Sequence, residues 1–294
     1  MELPGMLVDA GWLRAQRSHD RASPDLVVAD VRWVPGGRAR DRYAQGHLPG
    51  AVCVDVDSDL AAAAFDGPGR HPLPSPEAFA ASMSRVGIGD RTSVVAYDDA
   101  GGSVAARLWW MLRVLHRPVA LLDLPSLDAW SGAGGELQTG PPADRPQAAA
   151  AFTPRPWPDD RVVDADTVRA ALRSRSAVLL DVRSGERYRG EAEPFDPVAG
   201  HVPGAVSAEW ARNRDDEGRF LDPVSSRRWY ESLGVRDDGE AIASCGSGVT
   251  ATFALFAMER AGLGFGRLYE GSWSDWVSDR SRPVAIGTQP GEPS

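Results

Sequence analysis

Tyr43-Ala-Gln-Gly-His-Leu-Pro-Gly-Ala-Val52 returns later in the chain as Ala199-Gly-His-Val-Pro-Gly-Ala-Val206. Around this echo, Asp30-Val-Arg32 recurs as Asp181-Val-Arg183 and Asp128-Ala-Trp130 as Ser274-Asp-Trp276, in the same order and at a nearly constant offset. The 294 residues therefore read as two copies of one domain, 1–140 and 161–294. Between them a Pro- and Ala-rich linker, 141–160, carries neither a helical nor a strand period.

Within each copy, apolar runs bounded by turn residues alternate with stretches that keep apolar residues three and four apart. Leu26–Val31, Ser93–Tyr97, Ala177–Val182 and Glu240–Ser244 predict strands, and Val104–Leu115 and Val249–Ala261 predict helices. Strand then helix, repeated, gives an α/β fold class: in each copy, a parallel sheet with helices on both faces. Ligands of such sheets gather at the carboxyl ends of the strands, so chemistry is expected in a loop that leads from a strand into a helix.

Composition narrows that chemistry. A net charge of -9 offers no positive field for nucleic acid or an anionic membrane surface. No apolar run reaches a membrane-spanning length and the start lacks a secretory signal, so a cytoplasmic protein is expected. All 32 basic residues are arginine, which excludes a P-loop lysine, a pyridoxal Schiff base and lysine nucleophiles. Cys53 and Cys245 are too few for a disulfide framework or a thiolate zinc site. His19, His47, His71, His116 and His201 are too scattered for metal ligands, so neither a metal nor a cofactor is expected.

In the second copy the critical loop reads Cys245-Gly-Ser-Gly-Val-Thr250, followed by a helical stretch to Arg260. Gly246 and Gly248 can take backbone angles closed to other residues, which turns successive N–H groups inward, and the helix adds the positive end of its dipole. Such a cradle holds an anion and makes Cys245 the candidate nucleophile. Cys53, in Ala51-Val-Cys-Val54 with no glycine loop after it, reads as an inert core residue. The first copy has Asp98 opposite Cys245, and a carboxylate cannot accept sulfur, so that copy is expected to be catalytically silent.

From about residue 25 to 280 the chain resembles the two-domain rhodanese-type sulfurtransferases. Tyr43-x-x-x-His-Leu-Pro-Gly-Ala is similar to the family's N-terminal signature, and Gly271-Ser-Trp-Ser-Asp-Trp276 to its C-terminal one, with Asp275 in the usual glutamate place. The Cys245 loop is similar to the catalytic loop of the 3-mercaptopyruvate branch. The resemblance implies that Cys245 takes a sulfane sulfur from a small anionic donor, 3-mercaptopyruvate ahead of thiosulfate. It would pass that sulfur, through a persulfide, to cyanide or to a thiol acceptor such as a thioredoxin-like protein.

The same resemblance implies substrate-binding roles for Gly246, Gly248, Val249 and Thr250. It makes Arg187 the anchor of the donor's anionic group, and it finds Asp196 where a second substrate arginine is expected. A proton relay of Ser247, His71 and Asp57 is implied as well, with His71 and Asp57 reaching the site from the first copy. Trp33 corresponds to an aromatic near the cleft, although a core role fits it equally. His47 and His201, each before Pro-Gly-Ala, read as turn-fixing residues.

Two rivals remain on the sequence. A cysteine phosphatase would share the scaffold, but its loop needs an arginine after the cysteine, and none occurs before Arg260. A non-catalytic rhodanese-like module that binds a partner or senses oxidants would use a resolving cysteine, for which Cys53 is the sole candidate.

Overall fold

The computed structural model describes residues 1–18, 25–64, 66–142, 150–237 and 240–293. It comprises two compact units, the first formed by residues 1–61, 74–157 and 216–219, the second by 62–73, 158–215 and 220–294. The segment 62–73, which belongs to the first sequence copy, is therefore built into the second unit.

In the first unit, β1 (Leu7–Asp9), β2 (Leu26–Arg32), β3 (Val52–Asp55), β4 (Ser93–Tyr97) and β5 (Val119–Asp123) pair in the order β1-β5-β4-β2-β3, all parallel. The second unit repeats the pattern with β6 (Val162–Val163), β7 (Val178–Asp181), β8 (Val206–Ser207), β9 (Ala241–Ser244) and β10 (Arg267–Tyr269) in the order β6-β10-β9-β7-β8. Every residue of β4 and β9 is buried, as central strands covered on both faces require, and this is why they read as unbroken apolar runs. The helices that follow them, Ala105–Val114 and Ala251–Arg260, are buried along most of their length and correspondingly rich in apolar residues. Because β9 has β7 on one side and β10 on the other, the order reverses at its carboxyl end, where a crevice for ligands opens in such sheets.

The echoed motif builds one local structure twice. His47 stacks on Tyr43 with centroids 3.7 Å apart, and its Nδ1 lies 3.0 Å from the Tyr43 carbonyl. His201 does the same with Tyr188, at 3.7 Å and 2.7 Å. The two tyrosine hydroxyls donate to the carbonyls of Ala51 and Ala205. Both histidines thus fix a turn. Thirteen residues separate the second tyrosine from its histidine, against four in the first copy. The extra stretch carries Glu193, Phe195 and Asp196.

Of the expected linker, residues 143–149 lie outside the described residues, as does His19. Downstream of them, Phe152 and Trp157 pack against Phe79, and the Trp157 indole N–H donates to the Pro74 carbonyl at 2.8 Å. Aromatic burial therefore ties this proline-rich stretch to the first unit. Among the described residues no helix is long and apolar enough to cross a membrane.

Candidate active site

Cys245 follows the last residue of β9 and is 4% exposed. Its position is fixed through the backbone by Gly271–Trp276. The Cys245 N–H donates to Ser272 Oγ at 3.1 Å, its carbonyl accepts from the Trp273 N–H at 3.0 Å, and the Gly246 carbonyl accepts from the Ser274 N–H at 2.9 Å. Ser272 adopts φ +51° within this clamp, and its hydroxyl donates onward to the Tyr269 carbonyl. Tyr269 in turn donates to Asp275 at 2.5 Å, so the aspartate in the usual glutamate place ties the clamp together.

The two loop glycines answer different needs, which corrects the expectation that both supply unusual backbone angles. Only Gly248 is left-handed, at φ +77°, and a Cβ there would collide with the Glu270 carbonyl. Gly246 instead leaves room for two guanidinium groups to come close. A Cβ on it would stand 3.2 Å from Nη2 of Arg187 and 3.2 Å from Nη2 of Arg70.

Arg187, expected as the anion anchor, lies beside the loop. Glu193 accepts from its Nε at 3.1 Å and from its Nη2 at 2.7 Å, which orients the guanidinium from one side. Arg183 is held in the same network by Asp181 and Glu193 and lies over Trp273. Against the cost of burial, Asp181, Glu193 and the neighbouring Cys245 together keep that guanidinium above its ordinary pKa. Asp196 is paired with Arg70 and stands 3.8 Å from Arg187. Its side chain is 4% exposed. Burial pushes this carboxyl above the usual carboxylate range, against the opposing pull of Arg70.

The Ser247 hydroxyl lies 2.7 Å from Nδ1 of His71, close enough to pass a proton. His71 arrives on the segment 62–73, which is anchored to the same clamp. The Arg70 N–H donates to Ser274 Oγ and the Leu73 N–H to Glu270, both at 3.1 Å. Gly69, at φ +77°, packs so closely on Gly271 that a Cβ would strike its carbonyl. His71 thus comes from the first sequence copy but meets Ser247 within a single compact unit, the second. Asp57 and Trp33 belong to the first unit: Asp57 on the short helix Val56–Asp59, where its N–H donates to Asp55, and half-buried Trp33 just beyond β2. Val249 and Thr250 complete the turn into the helix Ala251–Arg260.

Sequence reasoning missed Arg70. Its contact with Asp196 spans 126 residues, and the only local signal was its place beside His71. Among the described residues, no group of three or more His, Cys, Asp or Glu side chains is arranged to hold a metal ion.

In the first unit the loop after β4 is closed by its own side chain. Asp98 accepts from the N–H groups of Ala100, Gly102, Val104 and Ala105 at 2.6–2.8 Å. Cys53 is buried in β3, and burial pushes its thiol up to about 12.

A cysteine at the carboxyl end of a central parallel strand, opening a helix and flanked by guanidinium groups, defines a thiol-dependent group-transfer enzyme on a tandem α/β scaffold. The rhodanese-like domain family matches residues 10–133 and 164–279. A Pseudomonas aeruginosa protein named "Probable 3-mercaptopyruvate sulfurtransferase" is 44% identical over 95% of this chain and 99% of its own length. A Mycobacterium tuberculosis protein named "Putative thiosulfate sulfurtransferase SseB" is 37% identical over 91% of this chain and 93% of its own. The crystal structure of SseA from Escherichia coli, described as a 3-mercaptopyruvate sulfotransferase with the rhodanese fold, superposes with a TM-score of 0.76 at 29% identity, covering 92% of this chain and 99% of SseA. The chain belongs to the rhodanese family, in its two-domain sulfurtransferase branch.

Proposed function

We propose that Cys245 is the nucleophile of sulfur transfer and that 3-mercaptopyruvate is its preferred donor. The Cys245 thiolate attacks the donor's sulfur, the carbon–sulfur bond breaks, and its electron pair passes to carbon as the enolate of pyruvate. Cys245 is left as a persulfide. The enolate then takes a proton, for which Ser247 and His71 are the source, and leaves as pyruvate. In the second half-reaction an acceptor thiolate or cyanide attacks the outer sulfur, the sulfur–sulfur bond breaks, and the Cys245 thiolate is regenerated. A thioredoxin-like dithiol in a reducing, cytoplasmic setting fits the acceptor role. Arg187 holds the donor's carboxylate, and the first unit, with Asp98 in the cysteine's place, takes no part in the chemistry.

The observation that carries the choice of donor is the 2.7 Å contact between Ser247 Oγ and His71 Nδ1. A departing enolate needs a proton, whereas sulfite leaving from thiosulfate needs none. The test is kcat/KM for the two donors in the wild type and in His71→Asn. With 3-mercaptopyruvate the variant should fall by about 10²-fold or more, and with thiosulfate by less than about threefold. Equal losses with both donors would remove the relay and the preference it supports.

A further inference from the structure

We infer that residues 284–293 are a positioning element of the active site: a strap across the two ends of the stretch 190–200, which holds Glu193 and, through it, the Arg187 guanidinium beside the Cys245 loop. This rests on the reading of Arg187 as the anchor of the donor's carboxylate.

Both copies carry a strap on the turn built by the echoed motif. In the first, Gln138 forms an antiparallel bridge with His47, the Gly140 N–H donates to the Ala44 carbonyl at 2.9 Å, and the Gly50 N–H donates to the Gln138 side chain at 2.9 Å. In the second, Ala285 bridges His201, the Gly287 N–H donates to the Arg189 carbonyl at 2.9 Å, and the Gly204 N–H donates to the Pro290 carbonyl at 2.6 Å. The second strap has one contact more, since Nε2 of the buried His201 lies 3.1 Å from the Gln289 carbonyl. Both straps lie just past the residues that the rhodanese-like domain family matches.

The two straps differ in what they close. The first lies over the four-residue step from Tyr43 to His47, the second over the longer stretch that carries Glu193, Phe195 and Asp196. The ends of that stretch touch, because a Cβ on Gly190 would stand 3.4 Å from the Gly200 Cα. Compact loops with adjoining ends of this kind are ordered by what packs on them. Here Cγ2 of Ile286 lies over both ends, 3.0 Å from the place of a Gly190 Cβ and 3.2 Å from that of a Gly200 Cβ. Ile286 is 73% exposed, so this contact, not burial in the core, is what its apolar side chain supplies.

The strap bears on the anchor from both sides. Gly190 ends the helix Gly185–Arg189, which carries Arg187. Within the stretch, Glu193 braces Arg187 and accepts from the N–H groups of Phe195 at 3.1 Å and Asp196 at 3.3 Å. Releasing the ends would multiply the conformations open to the stretch, and the placement of that carboxylate would be lost with its order.

The experiment compares the wild type with a chain ended after Pro283, which keeps the carbonyl that accepts from Trp276, and with Ile286→Ser and Ile286→Val. Hydrogen–deuterium exchange and steady-state kinetics with 3-mercaptopyruvate are the readouts. Ending the chain after Pro283 should speed exchange at the Phe195 and Asp196 amides by about tenfold or more and leave the amides of 246–250 within about twofold of wild type. KM should rise by about fivefold to thirtyfold, with kcat changed by less than about threefold. Ile286→Ser should move both readouts in the same direction by about threefold, and Ile286→Val, which keeps a branched methyl at the neck, should lie nearer the wild type. If the shortened chain does not fold, Ile286→Ser decides. Unchanged exchange at 195 and 196, or faster exchange with KM unchanged, would overturn the inference. Equal loosening of 246–250 would overturn it too, as the mark of a purely structural role. If Arg187→Ala leaves KM unchanged, the anchor reading fails by itself, and the strap then stands or falls on the exchange at 195 and 196.

Discussion

After β4 the chain places Asp98 and Asp99; after β9, at the corresponding point of a matching sheet, it places Cys245 and Gly246. In the first loop Asp98 takes four backbone N–H groups, and Asp99 pairs with Arg32 and Arg42. In the second, the arginines at the corresponding points, Arg183 and Arg187, pair with Glu193, which is carried on the extra stretch between Tyr188 and His201. The negative charges have been moved out of the loop, and a thiol and a hydrogen atom stand where two carboxylates stand in the first unit. One scaffold therefore carries two loops that differ in where their counter-charges are placed.

The largest effect should separate the two loops outright. Cys245→Ser should lower sulfur transfer by about a thousandfold or more while moving Tm by less than about 4 °C. Cyanide-dependent thiocyanate formation with a parallel melting curve checks it, and retained activity would end the account of the second loop. Next in size is Asp98→Ala. Removing a buried carboxylate that satisfies four N–H groups should destabilise the first unit by about 3 kcal/mol, read by urea denaturation. Persulfide formation at Cys245 should survive. A loss under about 0.5 kcal/mol would mean that the carboxylate does not hold the loop.

The smallest effect concerns the two thiols. Burial pushes the Cys53 thiol up to about 12 in the folded chain, against about 8.5 for a free thiol, so the native state holds its proton more tightly. That contribution to stability is complete below about pH 8.5 and is lost as pH rises toward 12. At pH 8, iodoacetamide should therefore modify Cys245 and spare Cys53 until the chain unfolds. Equal labelling by mass spectrometry would contradict the inert reading of Cys53.

The fold was legible because its strands are covered on both faces. Ser93–Tyr97 and Ala241–Ser244 are buried at every position and mostly apolar, and no alternating pattern competes with that signal. The Cys245 loop was legible as a strand-to-helix turn because its glycines and following helix are local. The surroundings of Cys245 were only half legible. His71 meets Ser247 across 176 residues and Arg70 meets Asp196 across 126, and nothing in a linear sequence reports that a short segment of one repeat is folded into the other unit. The lengthened spacing from Tyr188 to His201 was a readable signal, since the extra stretch carries Glu193 and Asp196.

The loan of residues 62–73 to the second unit has a consequence for such a duplicated chain. Cutting this chain at its repeat boundary would strip Arg70 and His71 from the unit that carries Cys245. The two repeats are therefore not separable along the sequence: the unit that carries Cys245 is completed by a segment of the other repeat.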